Sequence, residues 1–357
     1  MLRYAALVMA ASSMLLAQKM YVGGWPGRII ILDEKTGVVE GDVKLTTGAA
    51  RSLFLSGDKK RLVAMTHKDS AFETIDLATR KVVSTFMLTQ GNKKIRVDAG
   101  PASDREGKLL YAVTRDITKT VDRFEIGKRK FSVIDLEQQK IVKQVDMPVA
   151  DAERIGRQMR VSPDGKYLYT FGENVVVYDT TADFKEVERI DLAKPPFPNT
   201  DTLFVGGDLD PWGDPSVMTS TFQSTDNVVH RGNFGLARFD LNKRTFEFTP
   251  MGPVPSQLSG LQVTPDRKTG YAVSVEGAHG DRVTQIMMFD MEKKRLIKKA
   301  EFGGRTRFTF GISSDGKKLL IYGAGNTIEY YDAQTLKLER DVDVNADMTT
   351  PLVIVAP

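Results

Sequence analysis

The sequence predicts an all-β fold, a seven-bladed β-propeller of four-stranded antiparallel blades, and three observations carry the prediction. A short apolar run ending in aspartate recurs seven times along the chain. A hairpin signature lies upstream of most copies. The final residues form a lone apolar strand, and the first copy is one strand short.

The copies are IIILDEKTG with Asp33, FETIDLATRK with Asp76, FSVIDLEQQK with Asp135 and VVVYDTTADFK with Asp179. They continue as LARFDLNKRT with Asp240, IMMFDMEKKR with Asp290 and IEYYDAQTLK with Asp332, at spacings of 43, 59, 44, 61, 50 and 42 residues. Upstream stand FLSGDKKRLVAMT, ASDREGKLLYAVT, VSPDGKYLYT, VTPDRKTGYAVS and ISSDGKKLLIY, with a weaker DLDPWGDPSVMTS at 208–220. Asp and Gly between apolar runs favour tight turns, because they tolerate positive φ or cap the backbone locally. The flanking runs are short and rich in β-branched and aromatic residues, as strands are.

One copy therefore reads as four strands: RSLFL as A, KRLVAMT as B, FETIDL as C and KVVSTFML as D. Units of this kind repeated around a ring describe a propeller. The first copy offers B (MYVGGW), C (RIIILD) and D (VVEGDVKL) but no A. The tail TTPLVIVAP at 349–357 follows the last D strand and is expected to supply that missing strand, leaving no open edge at the seam.

Composition narrows the function classes. With 41% hydrophobic residues the 357-residue chain is too apolar for disorder, and its length alone would suggest two or three domains before the repeat reduces them to one. Zero cysteine removes disulfide scaffolds, thiolate metal sites, iron–sulfur clusters, thiol nucleophiles and covalent c-type haem attachment. A net charge of +4 over 50 basic and 46 acidic side chains gives no argument for nucleic acid. Residues 1–17, MLRYAALVMAASSMLLA, read as a signal peptide, with Arg3 before an apolar core from Ala5 to Leu16 and Ala17 at the cleavage point. The expectation is a periplasmic or secreted single domain over 18–357. No lipid-carrying cysteine is available, and no later stretch is long enough to span a membrane.

In such a meander the B–C and D–A connections share one face. The long segments 89–101 and 193–208 (D–A) and 115–130 and 221–235 (B–C) all fall there, which makes it the candidate functional face. His67, His230 and His279 lie in B–C connections, with Trp25 in the equivalent place of the first copy, and imidazoles there can orient ligands or carry protons. Arg115, Asp116, Asp122 and Arg123 occupy the third copy's insertion. Asp208, Asp210, Trp212 and Asp214 cluster in GGDLDPWGDP, which lacks calcium-loop spacing and reads as a turn-rich connection. Ligand- or partner-binding candidates are therefore Trp25, His67, Arg115, Arg123, Trp212, His230 and His279. The runs GKRK and MEKKRLIKKA read as solvated hairpin surfaces, and no phosphate-loop, dinucleotide, serine-hydrolase or zinc-protease motif is present.

VSPDGKYLYTFGENVVVYDT (161–180) and ISSDGKKLLIYGAGNTIEYYDAQTLKLERDVDV (312–344) resemble the YVTN-type repeat of bacterial exported propellers. Over the mature chain the layout is similar to the β (propeller) subunit of quinohemoprotein amine dehydrogenase. The likeness includes the extension ending DRFEIGKRKFSVIDLEQQK and the segment SVMTSTFQSTDNVVHRGNFGLARFDLNKR. That resemblance implies a non-catalytic chain packed against a small quinone-bearing chain, with the haems on a separate chain and the active-site cavity at the propeller–small-chain interface. No catalytic motif carries over onto residues of this sequence, and no cofactor is expected in this chain. Two other readings stay open: a metal-dependent propeller enzyme of lactonase or lyase type using loop carboxylates and histidines, and a general protein- or glycan-binding module.

Overall fold

The computed structural model describes residues 18–355 apart from 57, 67–69, 149–157, 195–196, 202, 206–213, 255–256, 278–279, 304–307 and 324. The strands group into seven four-stranded antiparallel sheets, lettered here A to D from the axis outward. Blade 2 shows the plan: Ala50–Leu55, Arg61–Thr66, Ala71–Asp76 and Lys81–Met87. Strands B and C are almost wholly buried, whereas strand D alternates exposed and half-buried residues as an outer edge does.

The apolar runs in strands B and C are continuous because each sheet is covered on both faces. In blade 1, Ile30 and Leu32 pack with Leu320 and Tyr322 of blade 7. Their neighbours Ile29 and Ile31 point the other way, onto Leu62 and Ala64 of blade 2. Seven apolar clusters result, one at each blade junction, so the core is a ring of interfaces. Aromatic pairs reinforce several of them, such as Phe131 stacked on Phe184 at 4.8 Å between blades 3 and 4.

All seven repeat aspartates end a C strand, where the carboxylate caps the turn into strand D. Asp76 Oδ1 accepts from the Thr79 N–H and hydroxyl, both at 2.7 Å. The residue four places on then takes a left-handed φ: 74° at Gly37, 56° at Arg80, 53° at Gln139, 53° at Asp183, 59° at Arg244, 53° at Lys294 and 60° at Leu336. In the A–B turns, the hydroxyls of Ser56, Ser162, Thr264 and Ser313 donate to the aspartate two residues on.

The tail closes the ring as expected. Val353–Val355 pairs antiparallel with the first B strand through Lys19↔Val355, Met20↔Ile354 and Tyr21↔Val353. The Gly23 N–H donates to Thr350 Oγ1 at 2.9 Å, beside a bridge between Gly24 and Met348.

The long segments differ from their reading as connections. Lys93–Ser103, most of the supposed D–A loop at 89–101, is an eleven-residue A strand. Leu109–Lys119 and Phe124–Asp135 form one long hairpin whose turn occupies only 120–123. In blade 5, Val217–Asp226 and Arg231–Asp240 do the same around 227–230. In the blade 3 hairpin, charges at successive positions, such as Lys128 to Lys130, obscure the strand patterning.

Candidate functional site

The elaborated face is built on the blade 3 extension. Strand D of that blade, Lys140–Asp146, pairs with strand C from Lys130 onward and the Met147 N–H reaches the Arg129 carbonyl, so Phe124–Lys128 continues without an outer strand partner. What projects is a three-stranded arm. In it Arg96 of strand A lies opposite Arg115 of strand B, and Arg115 lies opposite Arg129 of strand C. Three guanidiniums thus stand in register across three strands, an arrangement that repels unless it is neutralised.

One carboxylate does this. Asp98, its side chain 4% exposed, pairs with Arg96 Nε at 3.1 Å and accepts from Arg115 Nη2 at 3.1 Å and Arg129 Nε at 3.0 Å. The register of strand A shifts between Val97 and Ala99, a bulge at Asp98 itself, and bulges re-aim side chains. Further out, Asp116 lies between Lys93 at 3.1 Å and Lys130 at 3.4 Å. From the adjacent innermost strand, Arg51 joins the cluster at a second bulge, between Ala50 and Ser52. Its guanidinium is drawn below the usual arginine value by desolvation and by Arg96, with Asp98 opposing. Over 92–99 and 114–130 there are nine basic and four acidic residues, an excess of five that exceeds the +4 of the whole chain.

The tip of the arm is apolar. Val121, Phe124 and Ile126 are 106%, 65% and 64% exposed, beside Arg123 paired with Asp122 and Glu125. The blade 5 arm ends in a turn held by Asp226, which accepts from the N–H groups of Val228 at 2.8 Å and Val229 at 3.0 Å. Both valines are exposed. Within the ring, on strand C of blade 2, Glu73 is wholly buried and accepts from the N–H groups of Thr46 and Thr47 and from the Thr47 hydroxyl.

Of the residues singled out from sequence, Arg115 sits at the root of the blade 3 arm and Arg123 at its tip. His230 ends the blade 5 turn with φ of 52°, and Trp25 is exposed in the B–C connection of blade 1, before a cis Trp25–Pro26 bond. These four are distributed over blades 1, 3 and 5 and do not form one centre. His67, Trp212 and His279 lie outside the described residues. Among the described residues, no three His, Asp or Glu side chains are grouped to hold a metal ion. Arg51, Arg96, Asp98, Arg129 and Glu73 escaped the sequence reading. The KKIRVDAG segment carries two of them, but its meaning depends on pairing with residues 17 and 31 positions beyond Asp98.

Fold and site together define a closed seven-bladed propeller with two projecting hairpins on one face. No family model matches the chain, and no curated protein matches it. Solved structures share its fold. A functionally unknown protein from Desulfotomaculum acetoxidans aligns with a TM-score of 0.57 at 12% identity, over 95% of this chain and 99% of that one. Dihydro-heme d1 dehydrogenase NirN, in complex with DHE, aligns with a TM-score of 0.53 at 14% identity, over 98% of this chain and 76% of that one. Apo AztD from Citrobacter koseri aligns with a TM-score of 0.52 at 13% identity, over 95% and 98%.

Proposed function

We propose that the chain is an exported propeller that works as a binding subunit, gripping a partner protein with the arms of blades 3 and 5. The observation that carries this is the set of apolar side chains at the arm tips: Val121, Phe124 and Ile126 on one arm, Val228 and Val229 on the other. Single exposed valines on the outer strands, such as Val83 and Val142, need no explanation. Apolar tips clustered on extensions that leave the core are the mark of a docking surface. The YVTN-type repeat and the likeness to the amine dehydrogenase propeller subunit support a redox assembly in particular. In it a small quinone-bearing chain and a haem-bearing chain supply the chemistry, and this chain holds no cofactor.

The test is purification of the native protein from its own periplasm, with mass spectrometry of what accompanies it. The expected result is a stoichiometric small chain and haem chain, both lost from the double variant Val121→Ser, Phe124→Ser. A strictly monomeric native protein would overturn the reading.

A further inference from the structure

The root of the blade 3 arm and the neighbouring innermost strand of blade 2 hold more positive charge than folding requires. Arg96, Arg115 and Arg129 pair with the single carboxylate of Asp98, and Arg51, at the bulge of the neighbouring innermost strand, acts on the same cluster through space, leaving an excess of three positive charges. A strand-to-strand row of arginines is costly, and a second acid in place of any one of them would relieve it. Local rules broken in this way with only partial compensation, one carboxylate against several guanidiniums, mark functional positions. Both innermost strands also carry a bulge at this level, at Arg51 and at Asp98.

The donors are not used up. Arg51 has no hydrogen bond or ion pair among the described residues, although its charge is felt by Arg96 and Asp98. Arg115 keeps its Nε–H buried without an acceptor. Asp98, by contrast, receives bonds on both oxygens from three arginines. Guanidinium groups fork around carboxylate and phosphate oxygens, and a concave mouth lined by one sign of charge concentrates ions of the other.

We infer that Arg51 and Arg96, held in place by the Asp98 network, form a binding site for a small oxyanion, the carboxylate or phosphate of a ligand arriving at the innermost strands of blades 2 and 3. Asp98 and Arg129 are positioning residues, and Arg51 and Arg96 make the contacts. The site is separate from the arm tips, so it stands or falls independently of the docking surface.

Calorimetric titration of the whole mature protein with inorganic phosphate, and separately with malonate, tests this at low ionic strength. Saturable binding of at least one probe is expected, at ~1 mM or tighter. The tighter probe distinguishes a phosphate ligand from a carboxylate one. Arg51→Gln breaks no bond of Asp98 and should fold normally, yet weaken binding by about tenfold or more. Arg295→Gln, on the outer strand of blade 6, should leave it unchanged. Three results would overturn the inference: no saturation with either probe, equal competition by chloride, or wild-type affinity in Arg51→Gln. Each would leave the arginines as a purely structural brace for the arm.

Discussion

The backbone N–H of Leu352 donates to the Tyr322 hydroxyl at 3.1 Å, tying the closing strand of blade 1 to blade 7. The hydroxyl is fully enclosed, and burial pushes its pKa up to about 12, so it stays protonated throughout the working range. Tyr322→Phe strands a buried N–H, and the expected loss is about 1–3 kcal/mol in urea unfolding. Removing 349–357 takes away the whole strand, including the apolar contacts of Leu352 and Val353. That truncation should abolish the cooperative transition, and a truncated chain melting like the full one would show that the seam is not what closes the ring.

Glu73 makes a second prediction, inside the ring. Its carboxylate is wholly buried and has no cationic partner among the described residues. It is solvated instead by the Thr46 N–H at 2.8 Å, the Thr47 N–H at 2.7 Å and the Thr47 hydroxyl at 2.6 Å. These donors belong to the connection entering blade 2, so Glu73 pins a loop to the blade it leads into. Glu73→Ala strands both N–H groups, while the Thr47 hydroxyl can still turn to Thr66 at 2.9 Å, and should cost about 2 kcal/mol or more, at ~1 kcal/mol or more per stranded donor. Glu73→Gln keeps one acceptor oxygen and should lose visibly less in the same denaturation experiment.

The parts of this architecture that could be read from sequence are those encoded by near neighbours. Asp76 and Thr79 make their turn within four residues, and the same chemistry recurs at Asp332 and Thr335. Blade count and blade closure follow from such local units and from one unpaired strand at the end. The arm was harder to see. Lys94 to Ala99 alternates charged and apolar residues as a half-buried strand does, with Ile95 and Val97 packed against the core, but that pattern does not say which partners the charges meet. Asp98 acquires its meaning only when a bulge turns it toward arginines 17 and 31 residues away, and no local pattern encodes that register.

The turn aspartates set the acid limit of the fold. Thr hydroxyls hold the carboxyls of Asp76 and Asp179 below the usual range, backbone N–H groups do so for Asp240, Asp290 and Asp332, and Ser or Thr hydroxyls do so for Asp58, Asp164 and Asp266. With folded values below the unfolded one, the unfolded chain binds more protons in acid. The stabilisation is complete above the unfolded value of about 3.9 and is lost as pH falls through the lower folded values. Glu34 has the opposite sign, because burial raises its pKa and its protonation favours the fold. With these eight groups, and with Asp33, Glu40, Asp214, Asp226 and Asp315 lowered too, against one, the melting temperature should be level from neutral pH to about pH 5 and fall steeply below about pH 4. Asn at Asp76, Asp179 and Asp332 together should lower the plateau and flatten the acid limb. An unchanged limb would place the acid sensitivity elsewhere.

The left-handed residue that ends each C–D turn offers a gain in stability. Only blade 1 fills this position with glycine, Gly37, among the seven turns whose fifth residue has φ between 53° and 74°. An L-residue in this conformation costs roughly 1–2 kcal/mol, and glycine forfeits part of that saving through the entropy of the unfolded chain. Lys294 in blade 6 has φ of 53° and makes no hydrogen bond or ion pair among the described residues, so Lys294→Gly should stabilise by about 0.5–1 kcal/mol. Arg244 shares the backbone conformation but not the freedom. Its guanidinium lies 4.3 Å from the Tyr167 ring centre and 2.9 Å from Glu188, joining the outer strands of blades 4 and 5. The cation–π contact is worth about 0.5–1 kcal/mol and the ion pair up to ~1 kcal/mol, enough to offset the backbone relief. Arg244→Gly should therefore leave stability level or reduce it while Lys294→Gly raises it, and paired urea titrations that move both variants upward together would show that backbone strain alone governs these turns.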